Sequence, residues 1–242
     1  MSASNIRHFL SEDPEWLDFF NENGFCIIRD VWASDKQDFF LDRAIQFPTR
    51  VESDFRPLMQ PQRTDTEFLH ALRYAPVVKL VETALGGEAS GLQLQFFFGR
   101  PGTRGFACHQ DNFYVEAEAA TFVSAWSAFS EVSPEMGGLF VYPGSHKYGR
   151  LPIVPFDKET GDHQDPNSRN EETVLPDGYT GKRVDVFVPK GAVVMLNGDV
   201  VHGSHDNSTD AYRYALLATY LRRGADFRPG RTAKREEIAL HG

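Results

Sequence analysis

The chain has 242 residues, of which 41% are hydrophobic and 24% charged, so it has the composition of an ordinary globular protein long enough to bury a sizeable core. A net charge of −9 argues against nucleic acid as a partner, because such a protein would show a basic face. No apolar run approaches the length of a membrane span, and residues 1–10 lack the apolar stretch of a signal peptide.

Residues 11–24 read as a helix: Ser11 or Asp13 can cap it, Pro14 suits its first turn and Gly24 can end it. Phe25 to Ile28 is a short apolar run expected as a buried strand. A second helix is expected from Ser34 or Asp35 to about Gln46, and a loop over 48–64. Two further helices follow, Thr66–Arg73 and Pro76–Leu85, the latter stopped by Gly86-Gly87. From Leu92 the texture changes to strands. Leu92–Phe98 alternates, and Pro101-Gly102 is a turn. The His109-Gln110-Asp111 stretch is expected extended, followed by strands over 121–129 and 139–142 and, further on, 184–188, 192–197, 200–204 and 212–221. Residues 155–182 are polar throughout and too long for a simple connection, which suggests a lid or insertion. Helices first and many strands after indicate one α+β domain, mainly β, with a closed or double-layered β-core. Its parts would be a mostly helical 1–90, a β-core over 91–223 and a C-terminal tail over 224–242. Cys26 and Cys108 form no metal or redox motif and are expected as reduced, buried thiols of a cytoplasmic protein. Met136 and Met195 read as core filler.

In an extended stretch, side chains two residues apart share a face, so His109 and Asp111 would present an imidazole and a carboxylate to one point. A second His would complete the two-His-one-carboxylate set used by non-haem Fe(II) oxygenases, which leaves metal positions open. The bland reading is a solvated or hydrogen-bonded pair at a strand end. His202 follows the apolar pair Val200-Val201 and would aim inward; His205 lies in a polar turn and reads as solvated. Arg213 lies within an apolar strand and needs a partner there, either a structural carboxylate or a bound dicarboxylate held by its guanidinium fork.

Taken together, the segments 23–30, 109–112, 138–147 and 202–213 resemble the phytanoyl-CoA dioxygenase family of Fe(II)/2-oxoglutarate oxygenases. The resemblance implies a double-stranded β-helix (jelly-roll, cupin-like) core with the N-terminal helices packed on one sheet. It implies His109, Asp111 and His202 as Fe(II) ligands, Arg213 as the partner of the distal 2-oxoglutarate carboxylate, and Ser204 as a hydrogen-bond donor to that carboxylate. Trp126 would stand beside the cosubstrate, with Gln95 or Gln93 near it. His146, in a turn the family uses structurally, is not expected as a ligand. Asp111 disfavours halogenation, since family halogenases replace that carboxylate with a small residue. The implied reaction uses O2 and 2-oxoglutarate, releases succinate and CO2, and hydroxylates an unactivated C–H of a small or medium metabolite. Epoxidation, cyclisation or epimerisation on the same cofactors is the nearest alternative, and a non-catalytic ligand-binding domain a further one. Asn112, Phe113 and Tyr114 follow the ligand stretch and are expected either at the substrate or in packing. Whether the protein is a monomer or a homodimer is not legible.

Overall fold

Short strands at both ends of the chain frame the helices and the β-core. The computed structural model describes residues 6–47, 57–155 and 171–241. In chain order its elements are β1 (His8–Phe9), α1 (Glu15–Asn23), β2 (Phe25–Ile28), α2 (Ser34–Ile45), β3 (Leu58–Met59), α3 (Thr66–Leu72), α4 (Ala75–Leu85) and β4 (Ala89–Gly99). There follow α5 (Asn112–Val115), β5 (Phe122–Ala128), β6 (Leu139–Val141), β7 (Ile153–Pro155), β8 (Glu171–Thr173), β9 (Val184–Asp185), β10 (Val193–Asn197), β11 (His202–Ser204), β12 (Arg213–Arg222) and β13 (Ile238–Ala239).

The helix ends follow local chemistry. Gly24 adopts φ 79°, the left-handed conformation that glycine reaches without steric cost, and this turns the chain from α1 straight into β2. Neither Ser11 nor Asp13 caps α1; the Asp13 carboxylate instead accepts from Leu10 N–H at 2.8 Å. Asp65 caps α3 through Glu67 N–H and Phe68 N–H, and Arg43 of α2 binds the same carboxylate. Of the loop expected over 48–64, residues 48–56 lie outside the described residues. The remainder is not plain loop: β3 pairs with β4, and Pro61–Arg63 form a 3-10 turn.

Eight strands form the major sheet in the order β1-β2-β10-β5-β12-β4-β13, with β3 also on β4; β11-β6-β9 form a minor sheet, and β7 pairs with β8. Side chains alternate along each strand, so the major sheet has two different faces. Cys26, Leu94, Phe96, Ala125, Met195 and Tyr220 point to the outer face, where Trp16, Phe20, Phe40, Phe68 and Val81 of the helices cover them. Ile27, Phe97, Trp126, Val194, Leu196 and Ala215 point to the inner face and meet Leu139, Val141 and Val186 on or beside the minor sheet. The result is a double-layered jelly-roll, not a closed barrel, with the helices on the outer side of one layer. The site lies between the layers.

Several elements differ in extent from the sequence expectation. The strand expected at 184–188 is regular only over Val184–Asp185, and continues as single contacts, Val186 N–H to Leu139 O and a bridge from Val188 to Val132. Met195 is fully buried, but Met136 is only half-buried, at a bridge to Asn207. Cys26 is buried and Cys108 half-buried; both are free thiols. Of the polar 155–182 segment, residues 156–170 lie outside the described residues; Glu171–Thr173 closes back on Ile153–Pro155 as β8 on β7. Among the described residues no helix is long and apolar enough to cross a membrane.

Tyr220 ties the helical layer to the major sheet. Its fully buried hydroxyl donates to Leu72 O at 3.0 Å, at the end of α3. Tyr220→Phe keeps the packing but strands that carbonyl, so unfolding free energy in urea is expected to fall by about 1 kcal/mol with an unchanged m-value.

Candidate metal centre

His109 lies beside His202 of β11, and the two are locked by a two-way backbone bridge: His109 N–H to His202 O at 2.8 Å and His202 N–H to His109 O at 3.0 Å. The strand expected through His109-Gln110-Asp111 is not formed. His109 makes only this bridge, and Asp111 has helical dihedrals (φ −60°, ψ −35°) at the start of the one-turn helix α5. The two side chains nevertheless converge, through a turn instead of through strand alternation.

The ring orientations are set by backbone carbonyls. His109 Nδ1 lies 2.8 Å from Ala107 O, and His202 Nδ1 lies 3.1 Å from Val200 O. A carbonyl can only accept, so each Nδ1 carries a proton and each Nε2 is left as the nitrogen facing the cluster. Those Nε2 atoms lie 3.6 Å (His109) and 3.9 Å (His202) from Asp111 Oδ1, too far for hydrogen bonds. One ligand atom from each of the three residues lies within 4.8 Å of the others. Ser124, on the inner face of β5, donates to Asp111 Oδ2 at 2.5 Å and leaves Oδ1 facing the imidazoles.

Charge within the cluster is distributed unequally. Burial pushes the Asp111 carboxyl up, but the two imidazoles and the Ser124 hydroxyl outweigh it and hold Asp111 well below the usual carboxylate range. Burial, reinforced by His109, pushes His202 down to about 4, so it is neutral at pH 7. For His109, burial acts downward, but the adjacent Asp111 wins and the pKa is raised. The His109 and Asp111 side chains keep 23% and 15% of their exposure, so the cluster is open on one side.

The neighbouring expected residues fall into two rows across the inner face. Gln95, Leu217 and Trp126 are opposite one another on β4, β12 and β5; Gln93, Thr219 and Ser124 form the adjacent row. Gln93 therefore belongs to the Asp111 side and Gln95 to the Trp126 side. Gln95 Nε2 contacts Met59 Sδ at 3.2 Å. Arg213, at the start of β12, is 2% exposed; its Nη1 donates to Gly137 O and its Cζ lies 5.9 Å from the Trp126 ring centre. Gly99 is opposite it, and a Cβ there would come within 3.0 Å of Arg213 Nε. Burial brings the guanidinium pKa down to about 10, so it stays cationic. Ser204, on β11, accepts from Phe106 N–H at 2.8 Å, which leaves its hydroxyl proton for another acceptor.

Asn112, expected at the substrate or in packing, is 3% exposed, and its amide is bonded to Ala117 and Asp199; it is a structural residue of the turn. Gln110 is likewise fully buried and bonded to Gly149, Leu151 and Asp199. Tyr114 is 44% exposed. His205 is not simply solvated, since its Nε2 lies 2.8 Å from Asp185 Oδ1. His146 lies outside the cluster, its Nε2 3.0 Å from Asn21 O. Sequence reasoning missed Ser124, whose position two residues before Trp126 on the same strand face was the available signal.

Residues 20–215 match the family model described as Phytanoyl-CoA dioxygenase (PhyH). "Phytanoyl-CoA dioxygenase 1" of Oryza sativa subsp. japonica is 28% identical over 236 residues, covering 89% of this chain and 80% of the rice protein. Among solved structures, the epimerase SnoN in complex with Fe3+, alpha ketoglutarate and nogalamycin RO superposes with a TM-score of 0.73 at 22% identity, over 94% of this chain and 95% of that one. The non-heme alpha ketoglutarate dependent carbocyclase SnoK from nogalamycin biosynthesis superposes with a TM-score of 0.71 at 20% identity, over 93% and 91%. The fold is shared with both. The family match extends through both imidazoles, the carboxylate and Arg213, and the chain belongs to the phytanoyl-CoA dioxygenase family of Fe(II)- and 2-oxoglutarate-dependent oxygenases.

Proposed function

We propose that the chain is a hydroxylase that holds Fe(II) on His109, Asp111 and His202 and 2-oxoglutarate on Arg213, and that its substrate is a small or medium metabolite. The observation that carries this reading is the donor set. Two imidazoles with Nε2 turned into the cluster, that of His202 neutral, and one ionised carboxylate gather their ligand atoms within 4.8 Å, in a partly open site. That set suits Fe(II) and leaves positions for other ligands. Bound there, Fe(II) with 2-oxoglutarate and O2 supplies the oxidant for an unactivated C–H bond, with release of succinate and CO2.

The chain's own residues do the remaining work. The Ala107 and Val200 carbonyls fix the ring tautomers, and Ser124 fixes the carboxylate. The planar Arg213 guanidinium would pair with the distal carboxylate of 2-oxoglutarate, and the Ser204 hydroxyl would donate to the same group. Trp126 and Gln95, in one row of the inner face, would line the cosubstrate, with Trp126 excluding water. A cytoplasmic placement belongs to the same proposal, since Cys26 and Cys108 are both free thiols.

Epimerisation and ring closure remain the nearest alternatives, because the placement of the substrate decides which product hydrogen abstraction leads to. A purely ligand-binding role is disfavoured by the complete donor set. The test is anaerobic loading with Fe(II) and 2-oxoglutarate, then admission of O2 with a metabolite panel. Succinate release that needs Fe(II) is the expected result, with one oxygen atom added to the accepted metabolite. Absence of any Fe(II)-dependent succinate would sink the enzymatic reading; a product of unchanged oxygen count would replace hydroxylation by cyclisation or epimerisation.

A further inference from the structure

The C-terminal segment returns to the metal cluster. Residues 222–235 carry Arg222, Arg223, Arg228, Arg231, Lys234 and Arg235 against Asp226 alone, in a chain whose net charge is −9. The segment is pinned by Gln60 Nε2 to Ala233 O at 2.6 Å and by Arg63 to Lys234 O. Two of its arginines reach α5, the turn that begins at the carboxylate ligand.

They are used differently. Arg228 is fully engaged with the end of that turn: Nη1 binds Glu116 at 2.8 Å, Nη2 donates to Phe113 O at 3.1 Å, and its backbone N–H donates to Val115 O at 2.6 Å. Arg235 is drawn under the sheet instead. Its Nε donates to Gln93 Oε1 at 2.8 Å and its Nη1 to Tyr114 O at 3.1 Å, while Nη2 donates to no described residue. Gln93 shares its row with Ser124, and Ser124 holds Asp111. Burial and the neighbouring Arg228 lower the Arg235 pKa, and the Asp111 carboxylate offsets part of that effect. A guanidinium needed only to cap α5 would duplicate Arg228 and would gain nothing from Gln93.

We infer that Arg235 anchors the substrate: its open Nη2 edge binds one anionic group, a carboxylate or phosphate monoester, of the small molecule whose carbon is presented to the metal from the Asp111 side. This rests on the oxygenase reading above. A single cation is positioned, so the substrate carries a single anionic head.

The experiment uses the full chain loaded with Mn(II) under saturating 2-oxoglutarate, so that Arg213 is occupied and no turnover occurs. Probes are phenylacetate against phenylacetamide, and phenyl phosphate against phenol, followed by calorimetry and by Mn(II)-induced relaxation of the probe protons. At least one anion is expected to bind about tenfold or more tightly than its neutral twin, with relaxation showing that it lies near the metal. Arg235→Gln should abolish that preference, Arg235→Lys should keep part of it, and Arg228→Gln should keep it whole. Which anion is preferred separates carboxylate from phosphate substrates. Equal binding of charged and neutral twins by the wild-type protein overturns the inference, as does a preference that survives in Arg235→Gln. If Arg235→Gln fails to fold, Arg235→Lys decides: an unchanged preference overturns it. Mn(II) binding is read separately by its EPR signal. Failure there removes the metal reading, while the calorimetry still decides on Arg235.

Discussion

His202→Ala is expected to lower Mn(II) or Fe(II) affinity by about 100-fold or more and to abolish 2-oxoglutarate turnover, with the fold retained. Loss of groups that merely support metal ligands costs about 10–100-fold in other proteins, so loss of a ligand should cost at least the upper end of that range. The wild-type ring is neutral at pH 7, its pKa held down to about 4, so no proton competes with the metal for this nitrogen. The backbone bridge between residues 109 and 202 does not depend on the side chain and should survive in the variant. His205→Ala is the control. Its imidazole contacts Asp185, not the cluster, so metal affinity should not change. Mn(II) titration followed by EPR, with succinate assayed in parallel, reads both variants. Wild-type affinity in His202→Ala would place the metal elsewhere, and a loss in His205→Ala would mean that the polar turn belongs to the centre.

Much of the frame was legible because it rests on periodicity and punctuation. Gly24 and Gly86 stop helices in the left-handed conformation that glycine reaches without steric cost, and both have positive φ. Strand alternation over Leu94–Phe98 is the observed division between the helix-facing and inward faces of β4, whereas Leu92, at the register shift, packs with Val115, Phe122 and Leu221. The two-residue strands β1, β3 and β13 were not legible, since two residues carry no period. The convergence of His109 and Asp111 was anticipated from a strand that does not form; a bridge followed by a helical residue brings them together instead. Whether Gln93 or Gln95 faces the Asp111 side is a question of register, and register depends on pairing with β12 and β5. Arg235 lies 142 residues from Gln93 in sequence, and no local pattern announces such a contact.

Arg213→Met separates the cost of a buried charge from its use. The wild-type guanidinium is 2% exposed and burial lowers its pKa to about 10, so the protein retains a cation where a hydrophobic side chain of similar length would fit. Replacing a buried ionic group by an apolar one of similar volume is often neutral or stabilising. Against this stands the charge-assisted hydrogen bond to Gly137 O, worth about 1.5–3 kcal/mol. The expected stability of the ligand-free variant is therefore close to that of the wild type. Its response to 2-oxoglutarate should differ greatly. A ligand at 100 times its Kd stabilises the folded state by about 2.7 kcal/mol, which appears as a rise in Tm. At the 2-oxoglutarate concentration that gives this rise in the Mn(II)-loaded wild type, Arg213→Met should show almost none. Its KM for 2-oxoglutarate should rise about 100-fold, and Arg213→Lys should fall between, since an ammonium keeps the charge but not the two parallel hydrogen bonds. A variant that is much less stable without ligand, yet keeps its 2-oxoglutarate requirement and its ligand-induced rise in Tm, would make Arg213 a structural cation and move the cosubstrate to another part of the cavity.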